Sequence, residues 1–296
     1  MGMVDANQTG RTARRYRRQP SLHGGVSCAF GSDQADNLTA AAKSALTASI
    51  IVTCKGRRAQ LERTLPLMLA QQCSVDLRVV VVDYGDPNDC CRWCSQLNHP
   101  RLTAVRVLDG TDVFNLSRAR NCGANFFPAD VFCFCDADSV ISRHFVEFTC
   151  SLIRAGRAAL TMRNPRDGRI DTCGVCCVSS PAFHAVRGYD EAFEGWGHED
   201  SDLYARVRRV GAVIPFPVRY YPAALPHSDH QRTEFYLIKD IGTSARSSSE
   251  RMLYAERVVN PGGYGRAAAD IWHPGAAYPD RHVPVREPPP GEDSNG

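Results

Sequence analysis

The 296-residue chain sets 35 Lys and Arg against 32 Asp and Glu, a formal net charge of +3 with histidine neutral. So small a surplus gives no electrostatic case for a nucleic-acid partner, and 43% apolar with 23% charged residues is the balance of an ordinary globular protein. No stretch approaches the roughly eighteen apolar residues of a membrane span, and the N-terminus lacks the apolar core of a secretory signal; the expectation is a soluble, cytoplasmic chain with no integral membrane segment.

In chain order, residues 1–46 are rich in Gly, Ser, Asn and Arg without a sustained period, and Arg11, Arg14, Arg15, Arg17 and Arg18 crowd together with few apolar partners. This reads as a flexible, solvated basic arm, with a transit peptide or a tether to an anionic surface as alternatives. ASIIVTC (48–54) is an apolar run of strand type, and AQLERTLPLMLAQ has helical spacing, with Leu61, Leu65, Met68 and Leu69 on one face and Pro66 as a blemish. DLRVVVVD (76–83) and RLTAVRVL (101–108) are further strands, LSRARNCGANFF (116–127) suits a helix, VFCFC (131–135) a strand and HFVEFTCSLIRAG (144–156) a helix. Strands alternating with helices predict one α/β domain over 47–260, a mostly parallel sheet flanked by helices. It divides into residues 47–140 and residues 141–260. Residues 261–296, rich in Pro and Gly, read as a flexible tail.

Ligands of such sheets bind at the carboxyl ends of the strands, where this chain places Thr53, Asp83, and the pair Asp136 and Asp138. Residues two apart in a strand share a face. If the extended geometry continues past Cys135, the two carboxylates converge and call for a cation between them; magnesium or manganese suits such oxygen ligands. The plain alternative is a solvated acidic turn. Further on, RGYDEAFEGWGHEDSDLYARVRRVG (187–211) joins a glycine- and aromatic-rich loop to a helix with acids in its first turn and arginines in its last. The acids could merely suit the helix dipole. Yet Trp196 beside Glu199 and Asp200 is also how a protein holds a sugar ring, its apolar face on the indole and its hydroxyls on the carboxylates, one of which can serve as general base. His227 and His230 follow in PHSDHQRTEFY, and a neutral imidazole suits manganese as a further ligand.

Taken together, residues 47–240 resemble the GT-A nucleotide-sugar glycosyltransferases. SIIVTCKGRRAQLERTLPLMLAQ resembles the first strand and helix of the family 2 enzymes, and FNLSRARNCGANFF resembles their ARN-x-G helix. CGVCCVSSPAFHAVRGYDEAFEGWGHEDSDLYAR is similar to the C-terminal module of β-1,4-galactosyltransferases and chondroitin-type polymerases. The resemblance implies a GT-A (Rossmann-like) fold with a nucleotide-binding half (47–140) and an acceptor, galactosyltransferase-like half (141–260), and a metal-dependent, inverting transfer of a hexose or N-acetylhexosamine from a UDP-sugar to the hydroxyl of a glycan, peptide or small natural product. It implies Thr53 and Asp83 at the uridine, Asp136 near ribose and metal, and Asp138 and His227 on Mn2+ or Mg2+. Arg120 and Asn121 would lie near the diphosphate, Gly174 would face the donor, Trp196 and Glu199 would hold sugar, and Asp200 would be the base. Retaining relatives carry Glu-Asn where this chain has Glu199-Asp200, which favours inversion. The family 2 T-x-N-R loop reads TCKGR here, a departure.

The chain has 13 cysteines. CRWC (91–94) and CGVC (173–176) are both CxxC pairs, but about 78 residues separate them, against roughly 12–20 in paired zinc motifs. A zinc-thiol or redox module is the competing reading; small buried apolar residues are the plainer one.

Overall fold

The computed structural model describes residues 46–161, 172, 174–217, 222–253 and 257–278. The basic arm, Cys173 and the last eighteen residues expected as tail (279–296) lie outside them. The described elements run β1 (Thr47–Cys54), α1 (Arg58–Leu69), β2 (Asp76–Asp83), α2 (Cys90–Leu97), β3 (Leu102–Val107), α3 (Leu116–Phe126), β4 (Val131–Asp136), β5 (Ser139–Val140), α4 (Phe145–Arg154) and β6 (Ala159–Thr161). They continue with β7 (Cys176–Ser179), α5 (Ser180–Ala185), α6 (Glu199–Val207), β8 (Val213–Pro215), β9 (Ala223–Ala224), α7 (Asp229–Thr233), α8 (Ile241–Leu253) and β10 (Ala269–Trp272).

Eight strands form one sheet in the order β10-β3-β2-β1-β4-β7-β6-β8. β3, β2, β1 and β4 are parallel, as the alternating pattern predicts, while β7 and β10 run antiparallel to their inner neighbours. The sheet is covered on both faces, so its strands are apolar at nearly every position. Ile50, Val52, Cys133 and Cys135 face one core, with Leu61, Leu65, Phe145 and Val146 from α1 and α4. Ile51, Val80, Val82, Phe132 and Phe134 face the other, where Phe183 and Tyr189 pack on the two phenylalanines. Helix α3 lies close on this second face at Gly123, where an added Cβ would stand 2.5 Å from the Ile51 side chain.

Two differences from the sequence reading bear on the site. β4 stops at Asp136, and the chain turns through Ala137 and Asp138 before β5, so the extended run that would aim both carboxylates the same way does not exist. The second lies in the segment read as tail: β10 pairs with β3, Ala269 opposite Val107 through Trp272 opposite Ala104. Four residues among glycines and prolines carry too little pattern to announce a strand, but an antiparallel edge needs only a free partner edge.

A separate two-stranded ribbon pairs Ser139 with Ala224 and Val140 with Ala223. It ties the turn after β4 to the segment leading into His227, and the Leu225 N–H donates to the Asp138 carbonyl at 2.9 Å. No described helix is long and apolar enough to cross a membrane.

Candidate active site

The carboxyl ends of β1 and β4 open into a cavity of about 330 Å³. Nine of the sequence-derived site residues line it: Thr53, Arg120, Asp136, Asp138, Gly174, Trp196, Glu199, Asp200 and His227. They come from elements far apart in sequence, and four local devices bring them together.

Thr53 and Asp136 are neighbours because β1 and β4 pair in parallel with those two residues in register. Asp138 meets His227 because the β5–β9 ribbon zips the two segments: His227 Nε2 lies 2.7 Å from Asp138 Oδ2. Burial pushes the Asp138 carboxyl up from its ordinary value and the nearby Asp136 adds to this, while His227 opposes it. Arg120 is the third device. Its side chain is completely buried; Nη2 donates to Asp136 Oδ1 at 2.7 Å and to the Gly174 carbonyl at 3.2 Å, and Nη1 donates to Glu199 Oε1 at 3.1 Å. One guanidinium thus joins the acid at the end of β4 to the acid that opens α6. Its fixed fork suits two carboxylates at once, which a lysine could not match. Gly174 allows this approach, since a Cβ there would collide with Asp136 Oδ2.

The fourth device is the start of α6. His198 sits in the left-handed region at φ 70° and Gly197 at φ 93°, turning the chain sharply so that Glu199 and Asp200 face the cavity rather than solvent. Both are buried. Burial, aided by the charge of Asp200, pushes the Glu199 carboxyl up to about 7. Burial also raises Asp200, partly offset by the Ser201 N–H, which donates to its Oδ1 at 2.6 Å. These acids therefore do more than suit the helix dipole: two carboxyls in a dry wall, both raised above their ordinary values by burial, are equipped to accept a proton.

Three sequence-derived residues, Asp83, Asn121 and His230, do not line the cavity. Asp83 is buried, and its carboxylate accepts the backbone N–H of Asp86 at 2.8 Å and of Cys91 at 3.0 Å, closing the loop from β2 to α2. Burial raises it to about 6 against those two bonds. Asn121 is likewise a strut: its amide donates to the Tyr189 carbonyl and to Glu191 at 2.8 and 2.9 Å and accepts the Tyr189 N–H at 2.9 Å, holding α3 to the loop before Trp196. A strand-end acid or a helix asparagine looks the same in sequence whether it faces a ligand or the backbone. Arg120, expected near the diphosphate, lines the cavity, but both of its terminal nitrogens are committed to protein oxygens, and its buried Nε has no partner.

The cavity also has residues the sequence reading passed over. Lys55 and Arg57, in the TCKGR departure, line it together with Phe114, Phe235 and Tyr236. Lys55 Nζ donates to the carbonyls of Tyr84, Gly85 and Thr111 and lies 5.4 Å from the Phe235 ring. Arg57 donates through Nη2 to the Gln231 carbonyl, while its buried Nη1 has no partner. Basic side chains two residues apart just after β1 were the available signal; Phe235 and Tyr236 end the PHSDHQRTEFY segment, where only the histidines were singled out.

The cysteines pack. Cys91 and Cys94 are buried in α2 without a disulfide, as is Cys176 in β7. Burial pushes the Cys91 thiol well up, which disfavours the thiolate a metal would need. Among the described residues no group of three or more His, Cys, Asp or Glu is placed to hold a metal by itself.

Comparison with known proteins gives two overlapping family matches. "Glycosyl transferase family 2" matches residues 49–171, and "N-terminal domain of galactosyltransferase" matches residues 161–228. No curated protein sequence matches the chain significantly. Among solved structures, residues 1–349 of S. aureus TarS, in complex with UDP-GlcNAc, superpose with a TM-score of 0.56 at 14% identity, over 72% of this chain and 68% of that one. The mannosyltransferase PcManGT from Pyrobaculum calidifontis, in complex with GDP-Man and Mn2+, gives 0.52 at 18% identity, over 72% and 70%.

Proposed function

Because the chain is a glycosyltransferase of GT-A fold and family 2-like type, we propose that it transfers a hexose or N-acetylhexosamine from a UDP-sugar to an acceptor hydroxyl, with inversion at the anomeric carbon. The observation that carries this reading is the division of one cavity into two acidic walls. Asp136, Asp138 and His227 form one, Glu199 and Asp200 the other, and Arg120 spans them.

In this reading the nucleotide lies along the ends of β1 and β4, at Thr53 and Asp136. A divalent cation fits the donor set of the first wall: a carboxylate and an imidazole already in contact supply oxygen and nitrogen ligands, and diphosphate and water would complete the shell. Asp138 and His227 would hold Mn2+ or Mg2+; Asp136, with Oδ1 taken by Arg120, offers Oδ2. When bound, such an ion neutralises charge on the departing diphosphate. Asp200 takes the proton of the acceptor hydroxyl as that oxygen bonds to the anomeric carbon. The bond from that carbon to the diphosphate breaks, and its electron pair leaves with the nucleotide. A single base facing the leaving group gives inversion, by the logic of inverting glycosidases. Trp196 and Glu199 hold sugar beside it, and burial raises the Asp200 carboxyl above its ordinary value, which makes it a better proton acceptor. The acceptor is a glycan, peptide or small natural product, and the setting is the cytoplasm.

The test is turnover of a UDP-sugar panel with Mn2+, with the anomeric configuration of the product read by NMR. Asp200→Asn should bind donor as the parent does yet lose transfer by about 10²-fold or more. Transfer at the parental rate by Asp200→Asn would remove the base assignment, and a retained anomer would remove inversion.

A further inference from the structure

Both family matches end by residue 228, and the chain that follows returns to the site. Trp196 sits in the loop Glu194–His198, whose two glycines give it little rigidity of its own. Its backbone contacts go to α8: the Trp196 N–H donates to Ser244 Oγ at 2.6 Å, and Ser248 Oγ donates to the Trp196 carbonyl at 3.4 Å. Both serines are buried, and Gly195 lies so close that a Cβ there would stand 2.6 Å from Ser244 Oγ. The same helix is also pinned to the segment ahead of the loop, where Arg251 donates to both carboxylate oxygens of Asp190 at 3.0 and 2.8 Å. Arg257 then bridges Asp190 to Asp202 of α6. Arg232 of α7 lies over the indole, 5.5 Å from its centre.

We infer that α8 acts as a splint for the Trp196 loop and that Ser244 is a positioning residue for sugar recognition. This rests on the proposed transferase reading. Ser244 contacts the Trp196 backbone, does not line the cavity and is remote in sequence from β1 and β4, which carry the nucleotide wall. Its removal should therefore weaken recognition of the sugar while leaving recognition of the nucleotide intact. Loss of one buried hydrogen bond, to a backbone N–H left without a partner, corresponds to a roughly 5–10-fold effect on affinity.

The experiment is calorimetric titration of UDP and of the UDP-sugar that turns over best, in Mn2+, on the parent chain, Ser244→Ala and Ser248→Ala, alongside thermal melts. Quenching of the Trp196 signal is assigned by difference from Trp196→Phe. Ser244→Ala should weaken UDP-sugar binding about 5–10-fold, leave UDP binding within about twofold, reduce the quenching, and raise KM more than it lowers kcat. Ser248→Ala, with the longer bond, should shift the same quantities less. Equal weakening of UDP and UDP-sugar, or UDP-sugar affinity unchanged in both variants, overturns the inference while leaving the transferase reading standing. A parent chain that binds neither UDP nor any UDP-sugar overturns both.

Discussion

Replacing Arg120 with methionine keeps much of the side-chain volume and removes the one cation joining the two acidic walls. Arg120 is fully buried, with Asp136 at 2.7 Å and Glu199 at 3.1 Å. Breaking such a pair from one side costs about 3–5 kcal/mol, against roughly 0–1 for an exposed pair. The Asp136 side chain is about one third exposed, so its share is screened and most of the cost falls on Glu199, only 9% exposed. The pH dependence gives the sharper test. The Glu199 carboxyl stands at about 7 in the folded chain against an ordinary 4.5, with Arg120 working against burial and Asp200. A raised carboxyl binds its proton more readily folded than unfolded, so its contribution to stability falls as pH rises from the unfolded value to the folded one. Without Arg120 the folded value rises further and the falling stretch extends above pH 7. Urea unfolding in EDTA at pH 6 and pH 8 should show Arg120→Met destabilised at both, and by at least about 1 kcal/mol more at pH 8, since a tenfold change in proton affinity corresponds to about 1.4 kcal/mol. A deficit below about 1 kcal/mol, or one equal at the two pH values, would refute the assignment of Arg120 as the charge that opposes the rise of the Glu199 carboxyl.

Asp138→Asn and His227→Ala should each weaken Mn2+ binding by at least about tenfold and make turnover depend on higher metal concentration, as measured by titration of the EDTA-stripped protein. The acid limb of kcat/KM should lie above the ordinary carboxylate range, with a component at about 7 that Glu199→Gln removes, because burial raises both Glu199 and Asp200; a limb near pH 4 would contradict this. Gly174→Ala should lower stability and donor affinity together, because the new methyl meets Asp136 Oδ2 and must dislodge it from Arg120; melts and UDP titration check it.

Much of this architecture is written locally in the sequence. DLRVVVVD is a strand over the span its apolar run predicts, and Phe132 to Cys135 alternate between the two cores as a doubly buried strand should. What escaped depends on partners distant in the chain or on backbone direction. The turn at Ala137 separates Asp136 from Asp138, and no residue there forbids an extended chain. Asp83 and Asn121 have the chemistry of ligand contacts but spend it on backbone groups. The ties between Asp190, Asp202, Arg251 and Arg257 join residues up to 67 positions apart, beyond any periodicity. Lys55 and Arg57 were visible as a motif departure, and only the cavity shows that the departure faces inward.

The ribbon of β5 and β9 has a consequence for motion. Two residue pairs and one further backbone bond are all that latch the His227 segment to Asp138 in the described backbone, whereas β1 is gripped along both edges by neighbours in the large sheet. Local opening follows the weakest cooperative unit. In hydrogen exchange the amide of Leu225 should therefore trade its proton far sooner than those of Ile50 to Val52. A nucleotide sugar seated with its metal would fasten this latch from inside, so that slowing of one amide would report occupancy of the site without any assay of chemistry.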